Sequence, residues 1–203
     1  MSRRSRLAAA GALAILAFAW SVASPAAQHL SCAVSRSTTI YATADVRVFT
    51  KVDPGDLTTR TVACRRSDGA RFRLAHDRPE LEVAERVEHF FRAGRRLGYA
   101  VVENGRSATS GRACALNLDN GRRRCARTLL VRGLGITAAG SIAWLADVGQ
   151  DDLCCAVSKL DAGARGDPEQ LDSGFDIDRT SFAVGGAHVY WVKAGQVQSA
   201  TMP

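Results

Sequence analysis

The sequence predicts an all-β chain of propeller type: about four blades of four short antiparallel strands, preceded by a signal-peptide helix. Three observations predict it. Gly94, Gly140 and Gly186 recur at intervals of 46 residues. Each stands between two apolar, strand-like runs, as in "RAGRRLGYAVVENG" (92–105), "AAGSIAWLADVG" (138–149) and "VGGAHVYWVKAG" (184–195). Beyond residue 20 no run is long and apolar enough to span a bilayer, which needs about 20 such residues.

The elements follow in chain order. "MSRRSR" is a basic start, and Leu7–Trp20 is an apolar run too short for a membrane span. "SVASPAA" supplies the small residues of a cleavage site, best matched by Ser21-Val22-Ala23. Residues 1–27 therefore read as a signal peptide, and 28–203 as a single propeller-like domain. Ser2-Arg3-Arg4 and Leu7 partly match a twin-arginine signal, but Arg6 stands where that signal prefers Phe, so ordinary secretion is expected. Cys32 reads as structural rather than lipidated, because His29 occupies the position where a lipobox wants an aliphatic residue. The protein is expected outside the cytoplasm: secreted, periplasmic or on the cell surface.

A Gly-centred turn between apolar runs is a hairpin signal. Strands flank each glycine: "VEHFF" (87–91) and "RLGYAVV" (96–102), "GLGIT" (133–137) and "SIAWLAD" (141–147), "RTSFAV" (179–184) and "HVYWVKA" (188–194). Downstream, "TVACRRSDG" (61–69), "RACALNLDNG" (112–121) and "LCCAVSKLDAG" (153–163) share a Cys, an alternating stretch and a turn before a closing strand. The units are about 38–77, 86–127, 132–174 and 178–203. A period of 40–50 residues with four strands is that of a propeller blade. One such sheet cannot bury both faces alone, so sheets must pack on each other, with Tyr99, Trp144 and Trp191 filling the space between them. The last unit stops one strand short, and "HLSCAVS" (29–35) is expected to close the ring beside it. The same strands would also suit a β-sandwich. In "DRPELEVAERVEHFF" (77–91), Asp77 and Pro79 resemble a helix start, so a short helix is a second reading there.

"VYWVKAG" and "IAWLAD" resemble the hydrophobic-Tyr-Trp strand of YWTD-type and TolB-like propellers. "LDSGFDIDRTSFAVGGAHVYW" (171–191) looks like blades of secreted bacterial β-propeller-like repeat proteins of unassigned function. The Thr-Asp of the YWTD pattern is replaced by Val192-Lys193, and the chain has room for four blades rather than six. The resemblance implies a propeller fold without carrying over that family's receptor-like role.

Six cysteines follow the leader: Cys32, Cys64, Cys114, Cys125, Cys154 and Cys155. An even number in an exported chain reads as disulfides. Cys114 and Cys125 flank the "LDNG" turn on facing strands and are expected to pair. Cys32 and Cys64 would then pair and pin the N-terminal strand. Cys154 and Cys155 are adjacent, so on a strand they point to opposite faces. They read as structural thiols, with a vicinal disulfide as the alternative.

The formal charge is +7, and three of its arginines lie in the leader. Lys appears only at Lys51, Lys159 and Lys193, and no basic run interleaves with aromatics, so a nucleic-acid footprint is not expected. "GRRRCAR" (121–127) reads as a solvated, charged hairpin edge. The polar candidates for a ligand face are His76, Asp147, Asp176 and Asp178. Loop carboxylates spaced by two can converge on Ca²⁺, but Asp is also a common turn former, and no cofactor is required. There is no G-x-S-x-G or Cys–His nucleophile pattern. The expected role is an exported, non-enzymatic module binding an extracellular protein or a cell-envelope polymer. The alternatives are an extracellular hydrolase or lyase using His76 and the loop carboxylates, and a structural subunit completing a larger propeller.

Overall fold

A computed structural model describes residues 32–203, apart from 56, 78–82, 106–108, 150–154 and 165–166. The signal-peptide reading of residues 1–27 lies outside the described residues. What is described is all-β: four antiparallel sheets, three of four strands and one of three, each a simple meander in chain order. Sheet 1 holds β1 (Ser37–Ala42), β2 (Val46–Val52), β3 (Thr59–Arg65) and β4 (Arg71–His76). Sheet 2 holds β5 (Ala84–Ala93), β6 (Arg96–Asn104), β7 (Thr109–Asn117) and β8 (Arg123–Thr128). Sheet 3 holds β9 (Val131–Ile136), β10 (Ile142–Asp147), β11 (Cys155–Leu160) and β12 (Glu169–Gly174). Sheet 4 holds β13 (Ala183–Gly185), β14 (His188–Lys193) and β15 (Gln196–Thr201).

Among the described residues there is no helix, so none is long and apolar enough to cross a membrane. The alternative helix before residue 87 falls partly on 78–82, outside the described residues, and from Ala84 the chain is strand. Here β5 is interrupted by a register shift between Glu88 and Phe91, with His89 at φ 52°. The extra residue bends the strand, as a β-bulge does. That irregularity explains why the local sequence fits helical and alternating spacing alike.

Strand alternation decides what each sheet buries. On β6, Leu97, Tyr99 and Val101 face sheet 1, where they pack with Val46, Val48 and Leu74. On the opposite side of sheet 2, Ala100, Ala113, Ala115 and Ala126 meet Leu134, Ile136, Ile142 and Trp144 of sheet 3. Small residues on one sheet accept the large ones of the next. Gly98 takes this furthest: a Cβ there would lie 2.9 Å from Leu134 Cδ2. Between sheets 3 and 4, Ala143, Leu145 and Val157 pack on Val189, Trp191 and Met202. Tyr99, Trp144 and Trp191 thus occupy one core each, all buried. Each large apolar side chain so buried contributes roughly 2–3 kcal/mol.

The turn glycines Gly94, Gly140 and Gly186 sit between the first and second strands of sheets 2, 3 and 4, all at positive φ. Only glycine adopts such angles without strain. The first strands approach each other closely. Tyr41 of β1 stacks on Phe90 of β5, with centroids 5.1 Å apart. A Cβ on Gly135 of β9 would fall 2.3 Å from Val184 Cγ2 of β13.

The sheets are not closed into a ring. Three cores join sheets 1–2, 2–3 and 3–4, and among the described residues none joins sheet 4 to sheet 1. The leading segment, expected beside the last sheet, goes elsewhere in its described part. Cys32 and Val34 lie on the outer face of sheet 1 against Phe49, Val62 and Cys64. The physical reason is local. Cys32 is bridged to Cys64. The Arg47 guanidinium donates to the Cys32 carbonyl at 2.6 Å and to Ser37 Oγ at 3.0 Å. These contacts hold the segment as a cover on sheet 1, while sheet 4 keeps three strands. The far end is tied down: Met202 is buried, its N–H donates to the Ala187 carbonyl at 2.7 Å, and the Ser141 hydroxyl donates to the Pro203 carbonyl.

Candidate functional site

The meanders give the molecule two opposite ends. One carries the turns joining first to second and third to fourth strands. The other carries the remaining connections. His76, Asp147, Asp176 and Asp178 all lie towards the second end, but on different sheets, and each is engaged locally. His76 ends β4, and its N–H donates to Glu85 Oε2 at 3.0 Å. Its Nδ1 is buried without a hydrogen-bond partner among the described residues. Asp147 ends β10 with its side chain buried, in a bidentate pair with Arg132: Nε to Oδ1 at 3.0 Å and Nη2 to Oδ2 at 2.7 Å. Asp178 accepts from the N–H and the hydroxyl of Thr180, both at 2.8 Å, and those bonds hold its carboxyl below the usual range. The Asp176 carbonyl accepts from the Ala194 N–H at 2.9 Å. These are turn and pair functions. Among the described residues no group of three or more His, Cys, Asp or Glu side chains is placed to hold a metal ion.

The cysteines form two bridges, Cys32–Cys64 and Cys114–Cys125. Cys114 and Cys125 are direct partners in the β7–β8 register, with Cα atoms 4.1 Å apart. Cys155 is a buried free thiol, so it is not half of a vicinal disulfide. Cys154 lies outside the described residues. Two disulfides are compatible with an oxidising, extracellular setting.

The first end carries a different constellation. A cleft of about 420 Å³ opens between sheets 2 and 3, bordered by Arg96, Asn117, Asn120, Arg122, Arg124 and Gly140 among others. Strand parity puts the charges there. Leu97 and Tyr99 face sheet 1, so Arg96 faces sheet 3. Ala126 packs in the core between sheets 2 and 3, and Arg124 and Arg122 share its parity. Arg123, of opposite parity, turns to the sheet 1 carbonyls of Arg73 and Leu74, at 3.3 and 3.2 Å.

Arg124 is half-buried and spans the cleft. It donates to the carbonyls of Asp161 at 2.6 Å, Ala164 at 3.3 Å and Gly140 at 3.4 Å. Burial, and then the like charge of Arg96, push its pKa down. The nearby Asp161 carboxylate is engaged by Lys159 Nζ at 3.3 Å. Among the described residues Arg96, Arg122 and Arg124 make no ion pair with a carboxylate within 4 Å.

The neighbouring cleft provides an internal comparison. Between sheets 1 and 2, at the same end, a cavity of about 450 Å³ is bordered by Arg65, Arg92 and Arg95 with Asp45, Asp68 and Asp119. There the charges cancel. Arg92 pairs with Asp45 at 2.6 Å, Arg95 with Asp119 at 2.6 Å, and Arg65 with Asp68. The Arg65 hydrogen bond, then that from the Ala70 N–H, lowers Asp68 to about 2. Two clefts of similar size and origin therefore differ in one respect: among the described residues the arginines between sheets 2 and 3 have no carboxylate within 4 Å, the Asp161 charge acting on Arg124 only from further away.

The sequence marks Arg122–Arg124 as a solvated hairpin edge. Arg122, Arg123 and Arg127 are exposed on the edge strand or its approach, but Arg124 reaches across to the next sheet. The missed signal was parity: arginines at 96, 122 and 124 stand in register with the alanines of a buried face.

No protein-family model matches the chain, and no curated protein matches it.

Proposed function

We propose that the chain is an exported, non-enzymatic binding module whose four sheets form a propeller-type arc, and that it engages its ligand through the turn end of sheets 2 and 3. The observation that carries this reading is the cleft of unpaired arginines beside a neighbour in which every arginine has a carboxylate. Arginines gathered on a concave surface with no carboxylate within 4 Å leave net positive charge there, and a ligand of opposite charge is attracted to it. The partner is an extracellular protein or a cell-envelope polymer that presents negative charge. The test is co-sedimentation of the mature chain with isolated envelope polymer, using wild type and the Arg96→Gln/Arg122→Ala double variant. Binding by wild type that falls about tenfold in the variant supports the reading. Equal binding by both, or none by either, removes it.

A second reading is favoured by the open arrangement. Sheet 4 has three strands and the sheets do not close, as expected for a structural subunit that completes a larger propeller with a partner. Light scattering across a concentration series tests it. A mass fixed at one chain, with and without envelope extract, counts against this reading.

A further inference from the structure

We propose that the cleft between sheets 2 and 3 is a phosphate-class oxyanion site. The inference rests on the binding-module reading and names its ligand chemistry. Three arginines border one concave surface: Arg96 from β6, Arg122 from the β7–β8 turn and Arg124 from β8. A carboxylate carries one charge on two oxygens in one plane. A phosphate carries up to two charges and at least three acceptor oxygens, so it can satisfy several arginine forks at once. The rest of the cleft suits a compact anion. Asn117 and Asn120 supply amides, and Ala115, Ala139, Gly140, Ala162 and Gly163 leave the arginines uncovered. Among the described residues no aromatic side chain lines it, so these supply no stacking platform for a base or a sugar ring.

Arg124 is positioned for this role by the protein itself. Its bonds to three carbonyls fix its guanidinium plane before any ligand arrives, and preorganised donors lose less on binding. Gly140 keeps the opposite wall open: a Cβ there would meet Arg96 Nε at 3.3 Å, at a φ of +105° that also disfavours a side chain. Among the described residues Arg96 and Arg122 make no guanidinium hydrogen bond or ion pair, so they remain available to the ligand.

The experiment is calorimetric titration of the mature chain in low-salt, phosphate-free buffer with pyrophosphate, inorganic phosphate, glycerol phosphate and acetate. Saturable pyrophosphate binding is expected, at least about tenfold tighter than acetate, because multiple forks exceed what one carboxylate recruits. Arg96→Gln/Arg122→Ala, and Arg122→Ala alone, weaken it by about tenfold or more without changing the melting temperature of the free protein. The charge-matched control Arg71→Ala/Arg179→Ala, at exposed sites on β4 and in the β12–β13 connection, leaves it unchanged. Binding of glycerol phosphate as well assigns the site to a phosphoryl group carried on a larger molecule; pyrophosphate and phosphate alone assign it to the free ions. No saturable heat, equal affinity for acetate, or equal weakening by the control pair overturns the proposal. If envelope polymer still sediments with the wild type while pyrophosphate gives no heat, the phosphate assignment falls and the binding-module reading stands. If pyrophosphate binds and no polymer does, the reverse holds.

Discussion

Arg124 of β8 donates to the backbone carbonyl of Asp161, 2.6 Å away, in the turn that follows β11. One side chain therefore ties the edge strand of sheet 2 to a turn of sheet 3. Hydrogen bonds to charged groups are worth about 1.5–3 kcal/mol. Arg124→Ala is expected to destabilise the chain by about that amount in urea unfolding. Arg124→Lys should recover less than half, since an ammonium cannot present the planar fork. Full stability of the alanine variant would show that the link contributes nothing.

The Cys32–Cys64 bridge fastens the cover on sheet 1. It closes a separation of 32 residues, and chain entropy assigns such a loop on the order of 3–4 kcal/mol. The paired variant Cys32→Ser/Cys64→Ser should lose that much and also expose Phe49, now buried at 2%. Dye binding to the uncovered face is the second readout. The shorter Cys114–Cys125 loop, with a separation of 11, should cost somewhat less when removed, because loop entropy grows with length.

Gly135 and Val184 set the spacing of sheets 3 and 4. Gly135→Ala places a methyl group 2.3 Å from Val184 Cγ2, and overpacking of this kind costs about 1–3 kcal/mol. Val184→Gly removes both the Cγ2 methyl and the Cβ, which would itself lie 2.5 Å from the added methyl group. The double variant should therefore be more stable than the sum of the single losses implies, by about 1 kcal/mol. Simple additivity in thermal melts would place the glycine's importance elsewhere.

The acid limb of stability has identifiable sources. Burial acts to raise Asp172, but the Lys193 ammonium, at 2.6 Å, and the Trp191 Nε1–H, at 2.8 Å, outweigh it and hold the carboxyl below its ordinary 3.8. A carboxyl depressed in the folded state stabilises above its unfolded value and loses that contribution as pH falls through the folded one. Stability should thus decline below about pH 4, and Asp172→Asn should flatten that decline. Lys193 is raised mainly by its Asp172 bond, so its contribution is present at neutral pH and fades above its ordinary 10.5. An unchanged acid slope in the asparagine variant would remove Asp172 from the account.

Much of the fold was legible because alternation is a property of the chain itself. Leu97, Tyr99 and Val101 against Ala100 and Val102 already state two buried faces of unequal bulk. The Cys114–Cys125 pair followed from a hairpin turn centred between them. The open arrangement was not legible, because a missing fourth strand and a spare leading segment look complementary on paper. Which sheet the segment covers depends on where Cys64 sits and on Arg47 capturing the Cys32 carbonyl, and both are tertiary facts. The arginine cleft was hidden for a related reason. Solvated edge arginines and arginines aimed across a sheet junction have the same composition, and only the parity of 122 and 124 relative to Ala126 separates them.

The chain's last residues are no loose tail. Met202 fills a sealed slot between sheets 3 and 4, and the Pro203 carbonyl is held by Ser141. Loosening that corner would open the seam between the two sheets. Proteolytic nicking at that corner therefore reports on the intactness of the three-stranded sheet, and bulk forced in there would act as a wedge.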